Sequence, residues 1–150
     1  MGHRASAIKV SAMKVFICSP FSGDIEVNLC NARTYARKAA LLGHVPFAPH
    51  LLFPQFLDDS LPEERQLGIR LGLLQLAECD ELWVFGYEIS AGMSIEIEKA
   101  KVASIPIRLF DKQANLLSKS VLQNIDGFLA IYQQLLKCNQ LLWEGNDNET

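Results

Sequence analysis

Short apolar runs alternate with amphipathic stretches along most of this chain. Lys14 to Cys18 (KVFIC) is rich in β-formers and ends at a loop signal, Ser19-Pro20-Phe21-Ser22-Gly23-Asp24. Ile25, Leu29, Ala32, Ala36 and Ala40 then recur at helical spacing, with Gly43 closing the helix. Val45 to Ala48 reads as a second strand interrupted by Pro46. Pro49 to Leu61 has no clear period and reads as a functional loop. Pro62 to Glu78 is the next helix, started by Pro62, with Leu67, Leu71 and Leu74 on one face. Glu81 to Phe85 (ELWVF) is a third strand, Gly86 to Ala91 a loop, and Gly92 to Ala103 a helix. Ile105 to Phe110 is a fourth strand, where Pro106 marks an edge or a strand start. A long helical pattern follows from Ser118 to Trp143, through Val121, Leu122, Ile125, Leu129, Tyr132 and Leu136.

Continuous apolar strands separated by amphipathic helices predict a parallel sheet of four to five strands, covered on both faces. With right-handed crossovers this is a doubly wound α/β domain. The expected organisation is a flexible leader over 1–12, one domain over 13–143 and a polar tail over 144–150. The periodic sequence begins at Met13, a second candidate start.

Composition narrows the partners. The chain has 150 residues, of which 49% are hydrophobic and 21% charged, so it has the material for a core. Fourteen Lys and Arg against seventeen Asp and Glu leave a net charge of −3. That balance disfavours a nucleic-acid polymer or a polybasic membrane patch. No apolar run approaches the roughly 20 residues that span a bilayer. A small molecule, a second copy of the chain, or both are the expected partners. Cys18, Cys30, Cys79 and Cys138 form no C-x-x-C pair, and His3, His44 and His50 are scattered, so no metal and no cofactor is expected. Free thiols and the lack of a signal-peptide pattern point to the cytoplasm.

In an open parallel sheet, ligands bind beyond the carboxyl ends of the strands. The loops after the first and third strands are therefore where chemistry is expected. The first offers Ser19, Ser22, Gly23 and Asp24, either as an anion site of backbone N–H groups and hydroxyls or as an ordinary capped turn. The second opens a helix with Gly92-Met93-Ser94-Ile95-Glu96. Met93, Ile97 and Ala100 form its inward stripe, and Glu96 shares that side, whereas Glu98 points elsewhere and pairs with Lys101. Glu96 reads as an ionised nucleophile or base at a helix start, or as a charge serving only the helix dipole. His50 and Arg65 flank the long middle loop and suit a phosphate or a base, or simply the surface. Asp80 reads mainly as a structural cap. Leu51 to Leu57 is unusually apolar for a loop, suiting a lid or a subunit contact.

Three segments carry a family resemblance: Val15 to Gly23 (VFICSPFSG), Cys79 to Phe85 (CDELWVF) and Ser90 to Ile97 (SAGMSIEI). Together, over about Met13 to Phe110, they resemble the nucleoside 2-deoxyribosyltransferase-like superfamily. The resemblance implies a flavodoxin-like sheet and N-glycosidic bond chemistry, with Glu96 attacking the anomeric carbon. It implies Ser19, Phe21, Ser22, Gly23, Ser90, Gly92 and Met93 as substrate-binding residues, with His50, Arg65 and Asp80 as further candidates. The superfamily's transferases carry an aspartate six residues before the glutamate, holding a free 5′-hydroxyl. Ser90 stands there, as in the nucleoside monophosphate hydrolase branch, where a serine contacts a 5′-phosphate. The superfamily's aspartate that supports the departing base is replaced by Gly72. The resemblance thus implies either cleavage of a nucleoside 5′-monophosphate or a nucleotide-binding protein without turnover. It also implies a homodimer or larger homo-oligomer, for which the apolar residues of the C-terminal helix suit a partner or the chain's own sheet.

Overall fold

The computed structural model describes residues 11–118 and 141–142. In chain order the elements are β1 (Lys14–Cys18), α1 (Ile25–Leu41), β2 (Val45–Phe47), α2 (Pro49–Leu52) with a 3-10 turn (Phe53–Gln55), α3 (Pro62–Leu76), β3 (Glu81–Phe85), α4 (Ala91–Val102), β4 (Ile107–Phe110) and β5 (Leu141–Leu142). The strands form one sheet in the order β2-β1-β3-β4-β5, every pair parallel. This is the doubly wound, flavodoxin-like α/β architecture. The chain winds one way from β1 to β2 and the other way to β3, so the switch point lies between β1 and β3.

Two cores explain why β1 and β3 are apolar at every interior position. Phe16, Cys18, Leu82 and Val84 pack with Leu76 of α3 and Met93, Ile97 and Ala100 of α4. Val15, Ile17, Trp83 and Phe85 pack on the opposite face with Tyr35 and Ala39 of α1. There the Tyr35 ring stacks on Phe85 at 4.0 Å, and Phe85 stacks on Phe110 at 4.7 Å. Pro46 is tolerated because β2 is the edge strand. Pro106 is not at an edge, since β4 lies between β3 and β5. It sits just before β4, and its carbonyl accepts the Leu82 N–H at 2.9 Å.

Several expectations change. The buried stripe of α1 is Ala32, Tyr35 and Ala39, while Ile25 and Ala40 are exposed. The aromatic Tyr35 sets the rotation of that helix, filling the space over Phe85. On α3 the buried residues are Gly72 and Leu76, and Leu74 is 59% exposed. Gly68 faces Phe53 and Leu57, and Gly72 faces Phe53 and Pro49, so the glycine side of α3 is the one that meets the α2 segment, and Leu74 lies away from it. Pro49 to Leu61 is not an aperiodic loop but begins with α2 and the 3-10 turn, whose Phe53 meets Phe47 and Phe56 edge-on. Leu141 and Leu142, expected in a helix, pair with Ile107 and Arg108 as a strand. The rest of the expected C-terminal helix, most of the leader and the polar tail lie outside the described residues.

Candidate functional site

The site is assembled at the switch point from the ends of β1 and β3. After Cys18 the backbone enters a loop whose shape is held from within. The Asn28 side-chain amide donates to the carbonyls of Phe21 (3.0 Å) and Ser22 (2.9 Å). Gly23 takes a φ of 96°, a left-handed value that glycine adopts without strain. The Asp24 carboxylate accepts the Val27 N–H at 3.2 Å and caps α1. The loop is tied to α2 as well. His50 Nε2 lies 2.9 Å from the Ser19 carbonyl, an oxygen that can only accept, so Nε2 carries the hydrogen. The His50 ring also stacks on Phe21 at 5.0 Å.

The opposite wall is the start of α4. Ser90 is its N-cap, its Oγ accepting the Met93 N–H at 3.2 Å. Acceptance leaves the hydroxyl hydrogen available to an acceptor in the cleft. In the second turn of the helix, Glu96 reaches the same cleft. Its Oε1 is buried without a hydrogen-bond partner among the described residues. Burial pushes its carboxyl up to about 8, an effect opposed by the Cys18 thiol beside it. The expectation of a carboxylate kept ionised by the helix N-terminus is therefore overturned. α4 begins at Ala91, which makes Glu96 its sixth residue, and the dipole's influence fades beyond the first turn. Desolvation wins. His50 responds to the same dry surroundings in the opposite sense. Burial lowers its pKa below 6.5, against the Ser19 carbonyl and Asp59, which raise it.

Phe21, Ser22, His50, Arg65, Ser90, Gly92 and Glu96 together line a cavity of about 110 Å³. One water needs only ~10–15 Å³, so this space takes a ligand fragment of several atoms. Ser22 and Ser90 also border a second hollow, of about 320 Å³, on the α1 side of the two loops. The cavity holding Glu96 is the better candidate for chemistry because it contains the unpartnered buried oxygen.

The family model of DUF7768, a domain of unknown function, matches residues 13–110. The chain belongs to the DUF7768 family. The matched span runs from the residue before β1 to the end of β4 and so contains the whole cleft of this DUF7768 domain. No curated protein matches the chain. Among solved structures, the chain is similar to a 2-deoxyribosyltransferase from the psychrotolerant bacterium Bacillus psychrosaccharolyticus. The identity is 16%, over 81% of this chain and 89% of that one, with a TM-score of 0.57. It is also similar to a conserved protein from Enterococcus faecalis V583, with 19% identity over 87% and 76% of the two chains and a TM-score of 0.47. The DUF7768 domain thus shares the fold of a 2-deoxyribosyltransferase. No helix among the described residues is long and apolar enough to cross a membrane.

Not every sequence candidate of the DUF7768 domain reaches the cleft. Ser19 and Met93 are buried and absent from its lining, and Gly23 lies on an exposed turn. Asp80 stands at the opposite end of the sheet, where its carboxylate accepts the Lys14 N–H at 2.8 Å. Its N–H in turn donates to the Lys14 carbonyl, also at 2.8 Å. This residue clamps β1 to the start of β3 and has no place in the site. Conversely, Phe53, Leu57, Asp59 and Glu64 line the cleft without having been singled out one by one. The apolar run Leu51 to Leu57 was the signal for Phe53 and Leu57, while Asp59 and Glu64 lie beyond it. The folded side of that run faces the cleft, and Leu52 and Phe56 remain exposed. Glu64 holds the segment's far end, its carboxylate accepting the Asp58 N–H at 2.8 Å.

Proposed function

We propose that this protein cleaves the N-glycosidic bond of a nucleoside 5′-monophosphate, with Glu96 as nucleophile. The observation that carries this reading is the buried Glu96 carboxyl, its Oε1 without a partner among the described residues, lining the cleft at the carboxyl ends of β1 and β3. An oxocarbenium-like centre is the kind of cation such a carboxylate stabilises or traps. In the first step a Glu96 oxygen bonds to the anomeric carbon, and the carbon–nitrogen bond breaks with its electron pair going to the base. In the second, water attacks the same carbon, loses a proton and frees the carboxylate. A second nucleobase in place of water makes the reaction a transfer, as the name of the structural relative describes for that protein.

The polar groups fit a phosphorylated substrate better than a free nucleoside. Ser90 and Ser22 are neutral hydroxyl donors where a carboxylate would repel a phosphate. Phe21, Phe53 and Leu57 supply apolar surface for a base. His50 is neutral near pH 7 with its Nε2–H committed to Ser19, so it accepts through Nδ1 rather than donating a proton. The base then draws its proton from water, because Gly72 offers none.

The test is incubation with a panel of nucleoside 5′-monophosphates and chromatography for free base. Base released from at least one of them supports the reading, and release from none overturns it. A second reading, a nucleotide-binding protein without turnover, is favoured by Gly72 itself. Thermal stabilisation by a nucleotide with no product would establish it.

Gly72→Asp is expected to raise base release about tenfold or more, since general-acid help contributes ~10²–10⁴ in favourable cases. The substitution is sterically open. An added Cβ meets only Phe53 at 3.8 Å and Pro49 at 3.9 Å, ordinary contact distances. Initial rates of the two proteins under saturating nucleotide check this, and an unchanged rate shows that proton delivery at this position does not limit the reaction.

A further inference from the structure

The second hollow, of about 320 Å³, is larger than the cleft of about 110 Å³ and has no part in the chemistry assigned to Glu96. Ser22 and Ser90 line both spaces, which therefore adjoin at those two hydroxyls. With the anomeric carbon at Glu96 and the base against Phe21, Phe53 and Leu57, the 5′ end of a nucleotide lies at that junction. A single phosphate ends there and leaves the hollow unfilled.

The walls of the hollow offer further donors. Asn31, half-buried on α1, makes no side-chain hydrogen bond among the described residues, so its amide is available to a ligand. Lys112 is the one cation in the lining. The loop that carries it is held in place. After β4 the chain doubles back, with Leu116 bridging antiparallel to Phe110. The Asp111 carboxylate accepts the N–H groups of Gln113 and Asn115, both at 2.9 Å. The Lys112 carbonyl accepts the Tyr35 hydroxyl at 3.0 Å, which ties the loop to α1. The Lys112 stem crosses Gly86 at the end of β3, its Cγ 3.6 Å from where a Cβ would stand. The ammonium thus lies over the loop that leads to Ser90.

We propose that this hollow is a subsite for the second phosphate of a nucleoside 5′-diphosphate, and that Lys112 is the residue that selects it. The inference rests on the reading of the cleft as a nucleotide site. On this assignment the first phosphate stays with Ser22 and Ser90, and the next one meets Asn31 and Lys112. A lysine ammonium is a point charge suited to phosphoryl oxygens. Here it lies 3.8 Å from a Glu88 oxygen, with both side chains exposed (61% and 89%). Exposed pairs of this kind are weak, so the ammonium exchanges Glu88 for a phosphate at little cost. Glu88 itself repels an anion, which makes the lysine decisive for the sign of the hollow.

Titration calorimetry compares the 5′-mono- and 5′-diphosphate of each common nucleoside, with no divalent cation present. It is run in the Glu96→Gln protein, which consumes no ligand and leaves the lining of the hollow unchanged. For at least one nucleoside the diphosphate is expected to bind about fivefold or more tightly than the monophosphate, the size of one good contact between exposed charges. Adding Lys112→Met, at a side chain outside the core, is expected to remove that preference. A preference lost in this way supports the proposal. No preference for any nucleoside, or one that survives Lys112→Met, overturns it. Base release by the native protein, measured separately, keeps the two questions apart. A Lys112-dependent preference without base release keeps the subsite and removes the cleavage reading, and base release without the preference does the reverse.

Discussion

Glu96→Gln is expected to reduce base release by at least about a thousandfold while leaving nucleotide binding within a few-fold of the native protein. The amide keeps the shape of the side chain and the cleft around it, so Phe21, Ser22, Ser90 and the apolar walls still receive the ligand. What disappears is the oxygen that bonds to the anomeric carbon. Removal of a covalent nucleophile typically costs more than the loss of a positioning contact. A thousandfold loss corresponds to about 4 kcal/mol of transition-state stabilisation. The pH profile of the native protein adds a second constraint. A carboxyl held up to about 8 is only about one-tenth ionised at pH 7. If the ionised form attacks, the rate rises about tenfold per unit below pH 8 and levels above it. Initial rates from pH 6 to 9, with binding followed by calorimetry, check both parts. A rate that falls with pH over this range assigns Glu96 the role of proton donor instead.

The same carboxyl imposes a cost on the fold, and Glu96→Gln is expected to remove it. In the unfolded chain the group ionises near 4.5, and in the folded protein near 8. Between these values the unfolded state has released a proton that the folded state retains. Stability therefore falls as pH rises through this window and is constant outside it. The full difference is about 5 kcal/mol at most, from 1.36 kcal/mol per unit. From pH 6.5 to 8.5 the native protein is expected to lose about 2 kcal/mol, or about 4 to 8 °C in unfolding temperature. Glu96→Gln lacks that loss. His50, whose pKa is lowered, acts in the other direction, weakening the fold only as pH falls below its unfolded value of 6.5. Burial pushes Cys79 up to about 11, so it does not titrate in this interval. Thermal unfolding of both proteins at the two pH values decides the matter. Parallel pH dependence in the two would show that Glu96 is solvated.

β1 and β3 were readable from the chain because each is an apolar run next to turn signals, whereas β5 lies in a stretch whose period reads as helix. Lys14–Cys18 and Glu81–Phe85 have the bounds the sequence suggests. α1, α3 and α4 were equally legible, but the short α2 read as loop, and helix rotation was not legible. Ile25 and Leu74 fit an apolar stripe yet face solvent, because α1 turns Tyr35 onto Phe85 and α3 turns its Gly68–Gly72 side toward Phe53. Such packing partners are far apart in sequence. Glu96 was singled out from its place at a helix start, and the cleft does contain it. Its protonation was misjudged because the sequence displays the helix terminus but not the desolvation that outweighs it. Asp80, seated at the opposite end of β3, shows the complementary limit: residue type suggests a site, and strand polarity excludes it. The Glu81 carboxylate, buried between Trp83 Nε1 (2.8 Å) and Arg108 Nε (2.7 Å), left no local signal because Arg108 comes from β4.

The most direct test of the central claim is a search for the covalent intermediate on Glu96. The protein is quenched in acid during turnover of a nucleotide that releases base, and its peptides are weighed by mass spectrometry. A sugar-phosphate adduct on the peptide carrying Glu96, absent from Glu96→Gln, is the expected result. Base release with no adduct there, or with the adduct on another residue, contradicts it.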